Sequence, residues 1–388
     1  MKKDKIIIIG FILMGLIVSG IIGYTYYKNN NKETNTSTTS NASVNVDDSD
    51  TKVDWDSLEN KTIDDSYTIS EGGIYTLTGN INGTITIDTK EDVKLMLDNV
   101  TIKATNGPAI LVENANNVII YSNKDTVNTL EDSSTYSGLD EDISAVIFSK
   151  DDLVLDGEGK LIIKANYQDG IVSKDDLKII NGNYEINSKD DGIRGKDSVY
   201  IINGNFNITS TGDGIKSTND TDTEKGFVLI ENGNFTINSG SDGMQSITKL
   251  IINNGNINIT AKEGLESTYI VINNGNIKIS ASDDGINASD KSTFMTPTIE
   301  VNDGNIEVTM GQGDTDGFDA NGNIYINGGV VKVTGQSTFD YDGEGKINGG
   351  EVYSNGEKVT ELPNQFMGGM GGPNGGNPPD MRDYKRRR

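Results

Sequence analysis

The chain contains no cysteine and no histidine, a single tryptophan and only six prolines. Without cysteine there is no disulfide, no thiolate metal site, no cysteine nucleophile and no lipid-modified cysteine. Without histidine, the commonest general base and most zinc sites are gone. Any catalysis falls to carboxylates, Lys, Tyr or the few arginines, and any bound metal must be a hard cation on oxygen ligands. Basic residues are also scarce: 33 stand against 58 acidic ones, for a net charge of -25. A surface of that sign repels phosphate backbones, so nucleic acid is not an expected partner.

Long apolar runs are absent except for one, from Ile6 to Gly23. Lys2, Lys3 and Lys5 precede it, and Tyr24, Tyr26, Tyr27 and Lys28 close it. A basic start, an apolar span and an aromatic belt predict an N-terminal membrane-spanning helix at residues 1–28, with the body on the extracellular face of the membrane. A signal segment that is cleaved, leaving a secreted protein, is the alternative. Residues 29–52, rich in Asn, Thr, Ser and Asp, read as a flexible spacer. Residues 365–388 read as a disordered tail rich in Gly, Pro and Met, ending in Arg382, Lys385, Arg386, Arg387 and Arg388. That basic end is either simply solvated or in contact with anionic cell-wall polymer.

Residues 53–364 are dominated by two returning phrases. The first is acidic-Gly-apolar: Asp169-Gly170-Ile171, Asp191-Gly192-Ile193, Asp213-Gly214-Ile215, Asp242-Gly243-Met244, Glu263-Gly264-Leu265, Asp284-Gly285-Ile286 and Asp316-Gly317-Phe318. The second is Asn-Gly-Asn or a close variant, its glycines at 182, 204, 233, 255, 275, 304, 329 and 350. Short alternating runs between the phrases, without helical periodicity, predict an all-β fold: a right-handed parallel β-helix with about 22 residues per coil. Less regular coils are expected before residue 169, interrupted by an acidic insertion from Asp125 to Asp142. Alignment of the coils predicts three inward columns, through Ile171, Ile179 and Tyr184 and their equivalents, which together make a continuous core.

In register, the acids of the first phrase stack at roughly 4.8 Å, where two bare carboxylates repel by about 0.9 kcal/mol even in water. One remedy is a hydrogen bond from a turn amide to each carboxylate. The other is Ca2+ bridging neighbouring coils where acids double up, at Asp190 with Asp191, Asp283 with Asp284, and Asp314 with Asp316, with Asp213, Asp242 and Glu263 completing the column. An inserted loop, Asn219 to Gly226, alternates oxygen donors through Asp220, Asp222 and Glu224 as a calcium loop does, and a solvated acidic loop reads equally well. Two outward columns are candidates for sugar. Val172, Arg194, Lys216, Gln245, Glu266, Asn287 and Asp319 form one, in which Arg194 and Lys216 either hold a sugar acid or neutralise the ladder. Lys178, Tyr200, Leu229, Ile251, Val271, Glu300, Tyr325 and Lys346 form the other, an apolar stripe expected at the surface, where Tyr200 and Tyr325 can stack on pyranose rings unless a loop covers them.

Taken together, the Asp-Gly-Ile and Asn-Gly-Asn repeats, the acidity, the export signal and the Met/Gly/Pro tail resemble a clostridial family of secreted carbohydrate-binding β-helix proteins, itself similar in fold to calcium-dependent polysaccharide (pectate) lyases. The resemblance covers roughly residues 55 to 360. It implies calcium-supported binding of plant-type polysaccharide, cellulose or polygalacturonate-like, without demonstrated cleavage. It singles out no individual ligand, because the phrases recur in every coil. Two other readings stand beside it: a calcium-dependent lyase with Arg194 or Lys216 as base, and a structural adhesin of the cell envelope that pairs through the apolar stripe.

Overall fold

In the computed structural model the described residues are Val44, 60–313 and 315–364. They form an all-β parallel solenoid, with strands from Asn60–Ile63 to Glu357–Val359. In the two coils before Ile110 one long strand, Gly73–Asn82 or Asp92–Lys103, takes the place of the last two, and from Ile110 onward each coil contributes three strands. The first lies in a 12-stranded sheet and the other two in a 24-stranded one. One regular coil shows the pattern, with Asp169–Ser173 on the first face, Asp176–Ile179 on the second and Asn183–Asn187 on the third. The equivalents in the next coil are Ile193–Gly195, Ser198–Ile201 and Asn205–Ser210, each paired in parallel with its predecessor.

The register follows from side-chain alternation, because a slip of one residue would turn every apolar side chain out of the core. Ile171, Ile193, Ile215, Met244, Leu265, Ile286 and Phe318 stack in the order expected, and all are buried. On the third face Tyr184, Phe206 and Phe235 stack as rings, with centroids 5.0 and 4.7 Å apart. These columns form one core running the length of the coils.

The two glycine families serve different ends. Gly204 of the Asn-Gly-Asn phrase has φ 144°, a region that side chains rarely adopt. Gly192 of the acidic phrase instead permits close approach, since a Cβ there would lie 2.6 Å from the Gly214 carbonyl oxygen. Between the corners, Asn side chains form two amide ladders. One links Asn183, Asn205, Asn234, Asn256, Asn276 and Asn305. The other links Asn253, Asn273, Asn302, Asn327 and Asn348.

Three expectations need correction. The acidic insertion is shorter than residues 125–142, because Val127–Glu131 is a third-face strand paired with both its neighbours. The rest of it packs Tyr136 and Leu139 over Leu111, Phe148 and Val172, the outward residues of the early first face. The apolar stripe of the second face is not at the surface: Leu229 is 6%, Ile251 3% and Val271 0% exposed. Finally, the parallel stack ends in a reversal. At Asn355-Gly356 the chain turns back, so that Glu357–Val359 pairs antiparallel with Glu351–Ser354, and Leu362 is buried at the end of the core. Among the described residues no helix is long and apolar enough to cross a membrane. The expected anchor at 1–28, the spacer at 29–52 apart from Val44, and the tail at 365–388 lie outside those residues.

Candidate functional site

The acids of the first phrase stack as the repeat requires, and their backbones supply part of the remedy. The Asp191 amide donates to Asp169 Oδ1 at 3.0 Å, Asp213 to Asp191 at 2.9 Å, Asp242 to Asp213 at 2.9 Å and Asp316 to Asp284 at 3.1 Å. Asp169, Asp191, Asp213 and Asp284 thus each accept the N–H of the acid one coil on. Turn chemistry of this kind is what Asp before Gly ordinarily provides.

What remains is decided three residues further along, at the outward position of the same strand. Down the solenoid that column runs Leu111, Phe148, Val172, Arg194, Lys216, Gln245, Glu266, Asn287, Asp319 and Asp340, from apolar through basic to acidic. In the upper part Arg194 donates to Ser144 and to Asp169, itself 1% exposed, and lies 3.7 Å from Asp191. Lys216 meets Asp213 at 2.6 Å and Asp191 at 3.8 Å. Both basic side chains are therefore engaged by the ladder. Burial still raises Asp191, to about 6, although Lys216 opposes it.

Lower down, the column carries no cation of its own. Asp242, Glu263 and Glu266 bring carboxylate oxygens within 4.8 Å of one another. Gln245 donates to Asp242 at 2.6 Å and to Glu266 at 2.9 Å, and Lys291, in the loop between the strands Ile286–Ala288 and Thr298–Val301, reaches Glu266 at 2.5 Å. Burial, followed by the charges of Asp213 and Glu266, pushes Asp242 up to about 8. Burial also lifts Asp284 and Asp319 to about 7 each. Asn287 donates its amide to Glu263 at 3.0 Å, while its Oδ1 is buried with no hydrogen-bond partner. A buried carbonyl oxygen beside crowded carboxylates is the donor set of a hard cation.

The other expected metal residues lie elsewhere. Asp190 and Asp191 group with Asp169, around the cations just described. Asp283 pairs with Lys262 at 3.0 Å. Asp220, Asp222 and Glu224 are exposed and enter no such group among the described residues. Their loop is shaped by Asn219, whose Oδ1 accepts the amides of Thr221 and Asp222, and by Asp222, which accepts that of Glu224. Asp314 lies outside the described residues. Tyr200 and Tyr325 share the second face, separated by Leu229, Ile251, Val271 and Glu300, and so are not brought together with Arg194 and Lys216 on the first. Tyr200 lies under the Lys178 ammonium, 5.7 Å from it, and Tyr325 donates to Glu344. Glu266 and Asn287 are candidate oxygen donors that alignment of the acids alone passes over; their signal is the outward position three residues after each acid.

A family model described as carbohydrate-binding domain-containing protein matches residues 63–314 and again 264–358. The chain belongs to that family. A member from Acetivibrio thermocellus carrying the same description is 32% identical over 144 residues, which are 35% of this chain and 50% of that protein. The chain thus spans half the length of the curated relative it matches. Among solved structures, a polysaccharide lyase-like protein from C. thermocellum, crystallised as a gadolinium derivative, is similar at 29% identity and a TM-score of 0.52. That likeness covers 56% of this chain and 96% of the other. The expected kinship with clostridial carbohydrate-binding solenoids holds.

Proposed function

We propose that this protein is an extracellular polysaccharide-binding module: a right-handed coil, residues 53–364, held at the membrane surface by residues 1–28 and stabilised by Ca2+ on the lower part of its acidic face. Membership of a carbohydrate-binding family carries the reading, since it is the whole solenoid that the family model spans. Plant-type glycans, cellulose or polygalacturonate-like, are the proposed ligands. The basic tail adds contact with anionic cell-wall polymer.

For calcium, Asp242, Glu263, Glu266 and Asn287 supply an oxygen-only set in a chain without Cys or His. Bound there, a divalent cation supplies charge neutralisation and holds adjacent coils together.

The lyase reading draws on that relative's description as polysaccharide lyase-like. Against it, Arg194 is clamped by Asp169 and Asp191, and a guanidinium by its ordinary chemistry is a poor group to take a proton from a uronate. Lys216 is held by Asp213 and Asp191, whose charges raise its pKa. The adhesin reading loses its support with the burial of the apolar stripe.

The deciding experiment incubates the protein with cellulose and with polygalacturonate, with calcium or with chelator. Bound protein and unsaturated uronide products are measured together. Binding without product is expected. Product formation that Arg194→Ala or Lys216→Ala abolishes would replace the binding module with a lyase.

A further inference from the structure

The third face carries a surface unlike the rest of the molecule. Over three consecutive coils its outward positions are Asn205, Asn207 and Thr209, then Asn234, Thr236 and Asn238, then Asn256, Asn258 and Thr260. All are exposed, and all are Asn or Thr, in a chain with a net charge of -25. Charge returns only at the flanks: Lys160 pairs with Glu185 at 2.6 Å on one side, and Lys278 follows Asn258 on the other. The rows lie roughly 4.8 Å apart between coils and about 6.6 Å apart along the strand, so the array is a flat grid. A shallow open groove of ≈ 360 Å³ runs over it.

The grid is also stiff. Its first row is the amide ladder, each Nδ2 donating to the Oδ1 of the preceding coil at 2.7 to 2.9 Å. Beneath it Tyr184, Phe206 and Phe235 stack almost parallel, at 9° and 3° between planes. Ordered side chains lose little conformational freedom when a ligand settles on them. Each amide and hydroxyl offers both donor and acceptor, the chemistry that a sugar hydroxyl matches on both counts.

We infer that this grid is the glycan platform, and that its occupant is an extended neutral glucan lying flat across the coils. The inference rests on the polysaccharide-binding reading and chooses within it. An uncharged platform in a strongly acidic molecule complements a chain of hydroxyls. A polyuronate would find no cation on the grid and would be repelled by the net charge. The Asn and Thr groups play no part in the acidic face, which lies in the other sheet.

The test measures binding of the full chain to a soluble linear β-glucan and to polygalacturonate, for the wild type and for the combined variant Asn207→Ala, Thr236→Ala and Asn258→Ala. Loss of hydrogen bonds at three positions is expected to weaken glucan binding by at least about tenfold, with the melting temperature preserved because all three sites are exposed. Should the triple variant melt early, Thr236→Val, which keeps the β-branch and removes one hydroxyl, is expected to lower affinity about threefold. A wild type that binds neither polymer overturns the binding reading itself, and the platform with it. Glucan binding left intact in both variants overturns only the platform. Binding of polygalacturonate alone, lost with chelator, moves the glycan to the acidic face.

Discussion

From Asp169 to Lys216 the acidic face brings its own cations, with Arg194 and Lys216 lying among the carboxylates they neutralise. From Asp242 to Asp340 the same column of backbone presents Gln245, Glu266, Asn287, Asp319 and Asp340 instead; there burial drives Asp242, Asp284 and Asp319 toward their neutral forms, while Lys291 holds Glu266 below its ordinary value against the same burial. The fold is the same in both stretches, and so is the repeated Asp-Gly phrase. The residue three places after each acid makes the difference. The same carboxylate ladder therefore ends in internal salt bridges or in crowded, uncompensated acids according to the outward residue of each coil.

The largest expected effect breaks the self-neutralised half. Arg194→Ala leaves Asp169 buried and unpaired, and is expected to cost about 3 kcal/mol in urea unfolding. A loss below about 1 kcal/mol would mean that amide hydrogen bonds suffice and that the two halves do not differ in kind. Next comes the lower half. Calcium at about a hundred times its dissociation constant should stabilise chelator-treated protein by roughly 2.7 kcal/mol, read as a rise in melting temperature. Asp242→Asn and Glu266→Gln should abolish the rise, and Asp191→Asn should retain it. The reverse pattern would place the ion among Asp169, Asp190 and Asp191.

The smallest effect sharpens the contrast by pH. Asp242, at about 8, and Asp284 and Asp319, at about 7, all lie above the ordinary value of 3.8. A carboxyl raised by folding contributes stability that is complete below its unfolded pKa and is lost as pH rises through the folded one. Metal-free protein should therefore lose stability as pH rises from about 5 to 8, by on the order of 2 kcal/mol, because these buried acids must ionise. Asp191, at about 6, and Asp175, at about 7, lie in the first half and titrate lower in that window, so the slope above pH 7 rests chiefly on Asp242 in the second half. Calcium should flatten that slope. A melting temperature that rises over the same interval without metal would show that these acids are paired after all.

Much of this architecture was legible before any coordinates. Ile171 and its successors, the Tyr184 column and the outward column through Arg194 all fall in the register that the repeat dictates, since periodic chemistry and periodic geometry coincide in a solenoid. Even the divide on the acidic face is written in the residues three places after each acid. Departures came where the period lapses. Val127–Glu131 was hidden inside an acidic stretch whose charge outweighed its alternation. Leu229, Ile251 and Val271 point away from the core in the repeat and are nonetheless buried, because alternation reports which side of a strand a residue takes and not what lies over that side. The Asn219 loop carries donors at the spacing of a calcium loop, but Asn219 gathers backbone amides and its acids stand apart. Whether oxygens converge on one point depends on the loop's path, which composition does not specify.

The reversal at Asn355-Gly356 has a consequence for the life of the molecule in solution. A stack of parallel strands has no natural last member, and its final rung is a template on which another chain can grow into a fibre. On the third face, the folding back of Glu357–Val359 ends the series with a strand of the opposite sense, too short to seed another. Leu362 closes the apolar bore beside it. The last third-face rung is thereby covered instead of standing open to a further parallel strand.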